Sequence, residues 1–423
     1  MQMRLLVISY YWHPDEGTGV YRIGKLVKYL QKKGWQITVL TATQGSEMSE
    51  EAVPRVVRVR GFKLSSLWFS QKSPSGEAAF NPSVFYQPQK SLKQRLFIWA
   101  RLNLLVPDAK LGWYRAALKT ALQLHRETPF DRVLSTSPPP TVNLIARSFQ
   151  RRTGVPWTAD FRDPWTQIYY YESFPQGWLA GRINRWLEAR CVKAAQKVVC
   201  VSNNFFPFAL PRKVLRLLPN GYDPDDFAAG LPAKLREDRF VIRYLGTLKM
   251  NQFAPGLLEA LSRLGESFPA LIRFEGIGRI DPQYAEALRN CSTHIEWSFP
   301  GLLPHQEAVQ KMRSAHLLLL IIGKAERSKN VFSTKLFEYL NSSRPILGIG
   351  HPEGAASQLI RRSEAGLATT HTDSQSIYTF LALCLRKWQA GEPLPRAQTD
   401  AIEKYNFVHL SAEMDQILKD AGQ

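Results

Sequence analysis

Between Ser328 and Gly350 the chain reads SKNVFSTKLFEYLNSSRPILGIG, a stretch with groups suited to holding a nucleotide. A helix starting near Thr334 puts Lys335 and Glu338 three residues apart on one face. The residues ahead of it, Val331, Phe332, Ser333 and Thr334, would offer free backbone N–H groups at the helix N-terminus, a favourable seat for a diphosphate. The Glu338 carboxylate would repel phosphate but can accept two hydroxyl hydrogen bonds, which suits a ribose. The same spacing also describes an exposed helix with one ion pair, and the helix taken alone favours that plainer reading.

Other candidates lie in the first half. Gly17-Thr18-Gly19 follows the first apolar run, so its backbone can approach a ligand closely; a tight turn joining strand to helix accounts for it equally well. Arg22, one turn further on, can pair with an anion or snorkel to water. In ADFRDPW, residues 159–165, a buried strand ends on Asp160, where a carboxylate can orient or deprotonate an acceptor hydroxyl. Pairing of Asp160 with Arg162 or a backbone turn is the structural alternative. Asp163, before Pro164, reads as a helix N-cap. Asp223 and Asp225 have the DxD spacing of divalent-cation sites, but directly after Asn220-Gly221 a polar turn is the simpler account.

Together these segments resemble the glycosyltransferase family 4-like enzymes. The carriers are helix-borne Glu338 followed by Asn-Ser-Ser-Arg-Pro-Ile-Leu-Gly, the Gly17-Thr18-Gly19 loop with Arg22, SPPP at Ser137 to Pro140, ADFRDPW, and the segment Leu217 to Phe227 around PNGYDPDDF. The branch with a DFRDPW-type motif is the nearest in kind. The resemblance extends over nearly the whole chain and implies the GT-B fold, two Rossmann-like doubly wound domains facing each other across a cleft. It further implies that Glu338 binds the donor ribose, that the loop Asn330 to Thr334 cradles the phosphates, that Gly17, Thr18 and Gly19 meet donor phosphate or acceptor, and that Asp160 serves the acceptor side of a retaining transfer. Two positions depart from the family. Asn330 stands where a first glutamate is common, and Gly246 is followed by Thr247 and Leu248 rather than a basic pair, leaving Lys249 nearby and Lys335 as a substitute cation. GT-B enzymes stabilise the leaving diphosphate with basic residues and helix N-termini, so no metal or other cofactor is expected beside the nucleotide-sugar co-substrate.

The elements that must position these residues follow a βαβ rhythm, which implies mostly parallel sheets. Strand-like runs occur at residues 4–10, 36–41, 56–60, 131–136, 157–160, 197–202 and 214–218, with helices between most of them. After Asn220-Gly221 the rhythm restarts at 241–245 and continues through 271–274, 294–299, 316–322 and 345–349, with helices near 255–265 and 334–342. This gives an N-terminal acceptor-side domain, 1–221, a C-terminal nucleotide-sugar domain, 222–402, and a helical segment, 403–423, able to pack back on the first. In such sheets ligands sit outside the carboxyl ends of the strands.

With 423 residues, 44% hydrophobic and 22% charged, the chain has room for two cores and no sign of a disordered or repeat protein. The longest apolar run is far below the roughly 20 residues of a membrane-spanning helix. The run Leu5 to Ile8 is too short for a signal-peptide core, and the scattered cysteines Cys191, Cys200, Cys291 and Cys384 read as reduced thiols, so a cytoplasmic address is expected. The net charge of +19 asks for an anionic partner. Between Lys90 and Arg126 eight Lys or Arg face one acid, Asp108, and Leu92, Leu96, Trp99, Leu102 and Val106 recur at helical spacing beside them. That is the composition of a helix lying on anionic lipid, or of an ordinary amphipathic helix packed on the domain; nucleic acid is not expected, because no module for it accompanies the segment. The expected partners are thus a nucleotide sugar, a glycan or lipid-linked acceptor and an anionic membrane surface. The expected activity is hexosyl transfer in polysaccharide biosynthesis, peripheral on the inner membrane face. The competing readings are a non-catalytic scaffold of the same fold and a sugar-nucleotide epimerase.

Overall fold

The computed structural model describes residues 2–15, 17–42, 54–62, 92–168, 171, 174–202, 205–206, 208, 210–211, 214–228, 238–326, 329 and 333–422. The chain divides into two compact units, one of residues 1–219 with 407–423 and one of residues 220–406.

The first unit contains β1 (Arg4–Ser9), α1 (Thr18–Lys32), β2 (Gln36–Ala42), β3 (Arg55–Val59), α2 (Leu92–Leu104), α3 (Tyr114–Glu127), β4 (Arg132–Ser137), α4 (Thr141–Thr153), β5 (Trp157–Phe161), α5 (Trp178–Ala194), β6 (Lys197–Cys200) and β7 (Leu215–Leu217). Its sheet runs β3-β2-β1-β4-β5-β6-β7, and every pair is parallel. The second unit contains α6 (Pro224–Phe227), β8 (Phe240–Leu245), α7 (Pro255–Ser267), β9 (Ile272–Ile277), α8 (Pro282–Cys291), β10 (Ile295–Gly301), α9 (His305–Arg313), β11 (Leu317–Ile321), α10 (Thr334–Asn341), β12 (Ile346–Ile349), α11 (Ala355–Arg362), β13 (Gly366–Thr369), α12 (Ser374–Gln389) and α13 (Thr399–Ile402). Its sheet runs β10-β9-β8-β11-β12-β13, again all parallel. In both sheets the order turns back beside the first strand, the doubly wound Rossmann arrangement, so each unit has its topological switch point there.

The local causes are plain. The run LLLLI of β11 is buried at every residue, as a parallel strand covered on both faces must be. On α1, Val20, Ile23, Val27 and Leu30 recur at helical spacing and form one buried stripe. The chain leaves the second unit to form α14 (Phe407–Asp420), whose Phe407, Leu410, Met414 and Leu418 join Ile23, Val27 and Leu30 in one core. Two polar ties fix that return: the Trp35 indole donates to Asp415 at 2.8 Å, and Arg132 donates to the Leu418 carbonyl at 2.7 Å.

One local expectation is corrected, one strand is added and one turn is borne out. No helix opens at Pro164: residues 162–168 are bends, tied down where the Trp165 indole donates to Asn184 and Thr166 donates to Glu188, so Asp163 caps nothing. The strand β13 is extra, a short edge strand whose GLAT sequence has no apolar pattern to announce it. Asp223 is the N-cap of α6, its carboxylate accepting from the Asp225 amide at 3.1 Å, which is the polar-turn role.

Candidate active site

In the second unit, the strand ends around the switch point gather most of the nucleotide-binding candidates. The helix α10 is not an exposed helix carrying a Lys335–Glu338 ion pair, because Leu336, Phe337, Tyr339 and Leu340 are all buried and dock it on the sheet. The Tyr339 hydroxyl accepts the Leu245 amide at 2.9 Å, which locks the helix to the end of β8. Locked in this way, α10 sends Lys335 over that strand end. Its ammonium donates to the Tyr244 hydroxyl at 3.2 Å and lies 4.6 Å from the ring centroid, a cation–π contact. The hydroxyl is turned by its own bond to the Thr247 carbonyl, 2.7 Å. Gly246 has φ 118°, and a β-carbon there would fall 2.4 Å from the Lys335 ammonium. At that φ an L side chain is strained, and its β-carbon would push the cation aside.

One turn along α10, Glu338 is nearly buried and bonds His305 through Oε1 at 2.8 Å. His305, about half exposed, opens α9 directly after the end of β10. The other Glu338 oxygen retains acceptor capacity for a ligand hydroxyl. Ser333 N-caps α10 without a side-chain cap among the described residues, so the first N–H groups carry the positive end of the helix dipole. Thr334 is the first residue of the helix. Lys249 follows β8 on the same edge, and burial lowers its pKa to about 8, so bringing an anion to it draws in a proton. Of the predicted phosphate loop, Asn330, Val331 and Phe332 lie outside the described residues.

The first unit answers differently at its switch point. Arg22, buried on α1, donates to Asp160 at 3.0 Å and to the carbonyls of Leu218 and Pro219 at 3.0 and 2.6 Å. Thr136 donates to the second Asp160 oxygen at 2.8 Å. Asp160 has no exposed surface, and its carboxylate is shared between Arg22 and Thr136. This corrects its reading as the group that reaches an acceptor hydroxyl, and corrects Arg22 as an anion binder or a snorkelling side chain. The two form a buried ion pair joining β4, β5, α1 and the end of the unit.

Arg162, two residues past Asp160, does not pair with it either. Its guanidinium donates to the Pro138 carbonyl at 2.8 Å and lies against Gly19, where a β-carbon would collide with it at 1.4 Å. The glycine loop is therefore shaped around an internal cation. Gly17 is the exposed N-cap position of α1, and Thr18 is the first residue of that helix.

Sequence reasoning thus missed His305 and the placement of Arg162. A histidine opening a helix just past a strand end is a usable signal for the first. Nothing in the local sequence marks Gly19 as the partner of Arg162.

Residues 17–206 match the glycosyl transferase 4-like domain family. By this domain the chain is a glycosyltransferase. No curated protein sequence matches it. Among solved structures, it is similar along its length to three GT-B proteins. Anabaena HepE in complex with UDP gives a TM-score of 0.66 at 14% identity, covering 99% of this chain and 100% of that one. Sucrose-phosphate synthase from Thermosynechococcus elongatus gives 0.64 at 13%, covering 99% and 98%. WaaG, a glycosyltransferase involved in lipopolysaccharide biosynthesis, gives 0.59 at 13%, covering 98% and 99%. Further HepE structures contain UDP with glucose, and UDP-glucose. At these identities the likeness establishes the GT-B fold of this glycosyltransferase. Its donor and acceptor are matters for its own side chains.

Proposed function

We propose that the protein moves a sugar, with retention, from a nucleotide-sugar donor to a polysaccharide or lipid-linked glycan precursor at the cytoplasmic face of a membrane. The observation that carries this reading is the convergence of Gly246, Lys335, Glu338 and His305 at the carboxyl ends of the second sheet. In it, Glu338 holds the donor ribose and is oriented by His305. Lys335, Lys249 and the N–H groups of Ser333 and Thr334 take up the charge that develops on the leaving diphosphate, which is transition-state stabilisation by preorganised donors without a metal. The Gly17-to-Gly19 loop serves the acceptor or donor phosphate, and the Arg22–Asp160 pair positions that loop from behind.

Support for the membrane comes from two helices that contact each other, α2 and α5. The first exposes Leu92, Leu96 and Trp99, the second Trp178, Leu179 and Trp186. Exposed Arg95, Arg182, Arg185 and Arg190 lie among them. Apolar faces bordered by arginine suit the interface of an anionic bilayer. Among the described residues no helix is long and apolar enough to cross a membrane.

The test is a panel of nucleotide sugars, uridine nucleotides first because HepE holds them, read by thermal unfolding and then by transfer of labelled sugar to an acceptor fraction. One donor at about 100 times its Kd is expected to add about 2.7 kcal/mol of stability and to label a product with the donor's anomeric configuration. If no donor stabilises the protein, the reading fails. Turnover of donor without an acceptor would instead favour the epimerase.

A further inference from the structure

The inner face of α5 is made of Ala180, Asn184, Glu188, Cys191 and Val192, buried at helical spacing. Asn184 and Glu188, one turn apart, have no exposed surface, although apolar side chains would fill such a face without desolvating a carboxyl group. Both direct their polar atoms at one segment, the turn at 162–168. The Asn184 amide oxygen accepts the Trp165 indole at 3.0 Å. The two Glu188 oxygens meet the Thr166 amide at 3.2 Å and the Thr166 hydroxyl at 2.5 Å. The segment has no helix or strand of its own, so these bonds fix its place against α5.

That turn carries Arg162. The Arg162 amide donates to the Ser137 carbonyl at 3.0 Å and its guanidinium to the Pro138 carbonyl at 2.8 Å, while Nε is buried without a partner among the described residues. Asp160 pairs with Arg22 instead, and Arg162 makes no ion pair among the described residues, so the position of this cation follows the turn. Its guanidinium fills the space beside Gly19, where a β-carbon would collide with it. Asn184 and Glu188 thus act on the Gly17-to-Gly19 loop through Trp165, Thr166 and Arg162.

Glu188 brings a titration into this arrangement. Burial raises its pKa from 4.5 to about 7, against the bonds from Thr166 and Trp165, which lower it. The titratable groups it acts on are Cys191 on α5 and Cys200 on β6, thiols that burial pushes up and keeps neutral. Arg147 of α4 and Arg190 act on Cys191, and Arg22 and Asp160 on Cys200, but among the described residues none of them pairs with Glu188. On the turn itself Asp163 is a second carboxyl raised by burial. A carboxyl that holds its proton more tightly inside the protein than in water stabilises the closed form fully below about pH 4.5 and loses that contribution as pH rises to about 7.

We propose that Asn184 and Glu188 are positioning residues: they clamp the 162–168 turn and through Arg162 set the Gly17-to-Gly19 loop, and the clamp closes with Glu188 neutral and slackens when Glu188 ionises. Its meaning for catalysis rests on the proposed function, in which that loop serves the acceptor or donor phosphate, but the clamp itself is tested on the full chain without either substrate. Amide hydrogen exchange, corrected for the intrinsic rate, is followed at pH 6 and pH 8. A pKa of about 7 in the closed form against 4.5 in the open form makes opening of the turn about tenfold more frequent at the higher pH. Wild-type protection at 162–168 is expected to fall by that factor, with the Tyr21 amide, bonded to the Gly17 carbonyl, falling in step, while β1 and β11 keep theirs. Glu188→Gln, which preserves both bonds and cannot ionise, is expected to give the same protection at both pH values, which separates Glu188 from Asp163. Thr166→Val, which removes one bond from the other side of the clamp, is expected to lower protection of the turn roughly threefold or more at pH 6. Thermal melting identifies a misfolded variant, and if one misfolds the other decides. Protection of the turn that is independent of pH in wild type, an unchanged pH dependence in Glu188→Gln, or an equal loss across β1, which is global unfolding, overturns the proposal. The expected exchange pattern with no donor found would leave the clamp standing while the nucleotide reading falls.

Discussion

The two units share a strand order and a glycine at the same topological point, yet they use their strand ends in opposite ways. In the first, the space is closed by Arg22 and Asp160, which satisfy each other and the neighbouring carbonyls completely inside the protein. In the second, Lys335 rests on an aromatic ring and a hydroxyl, and Glu338 on a half-exposed histidine, partners that a ligand can replace or share. A charge that is fully paired and buried specifies structure; a charge held by weak, displaceable contacts beside solvent is available for binding.

The contrast can be broken hardest at the ion pair. Asp160→Ala leaves the Arg22 guanidinium buried without its counterion, and a loss of about 3–5 kcal/mol in chemical denaturation is expected. Replacing Arg22 and Asp160 together by apolar residues should recover much of that. Equal damage from the single and double variants would assign the pair another role. Next is Gly246→Ala, which both strains a backbone at φ 118° and displaces Lys335; stability should fall by about 1–3 kcal/mol and nucleotide affinity with it. Gly19→Ala should cost a similar amount in stability by displacing Arg162, and nucleotide affinity left unchanged in it would assign the Gly17-to-Gly19 loop to the acceptor rather than to the donor phosphate.

Smaller effects follow from protonation. Lys249 has its pKa lowered to about 8 in the folded protein, so the folded state loses that proton before the unfolded state does. Between about pH 8 and 10.5 the unfolded chain then binds more protons and this group favours folding as pH rises, while anion binding, which needs the charged form, weakens over the same range. Proton uptake accompanying nucleotide binding near pH 8.5, abolished in Lys249→Met, is the calorimetric signature. Burial raises the pKa of Glu188 to about 7, so its folded form holds a proton that the unfolded form releases at lower pH. Its contribution is full below about pH 4.5 and lost as pH rises to 7. Glu188→Gln should accordingly flatten the pH dependence of melting there by a degree or two.

The fold was legible because hydrophobic runs of strand length alternate with helical periods, and the strands β8, β11 and β12 announce themselves as buried parallel strands. The edge strand β13, built of small residues, carries no such pattern. Within the site, Lys335 and Glu338 could be named because their meaning lies in one helix. His305 sits 33 positions from Glu338, and Arg22 sits 138 positions from Asp160. Those partnerships depend on which strands neighbour which, and local spacing does not encode that. Asp160 shows the cost: strand-end position suggested a ligand, whereas strand order delivers Arg22 to it.

The central claim is that the second unit holds the donor through Glu338, and calorimetry of whichever nucleotide stabilises the wild type, titrated into wild type and Glu338→Ala, tests it most directly. Loss of charge-assisted hydrogen bonds of about 1.5–3 kcal/mol predicts an affinity roughly 10- to 100-fold weaker in the variant, with the melting temperature held within a few degrees. Equal affinity for that nucleotide in the two proteins would contradict the account.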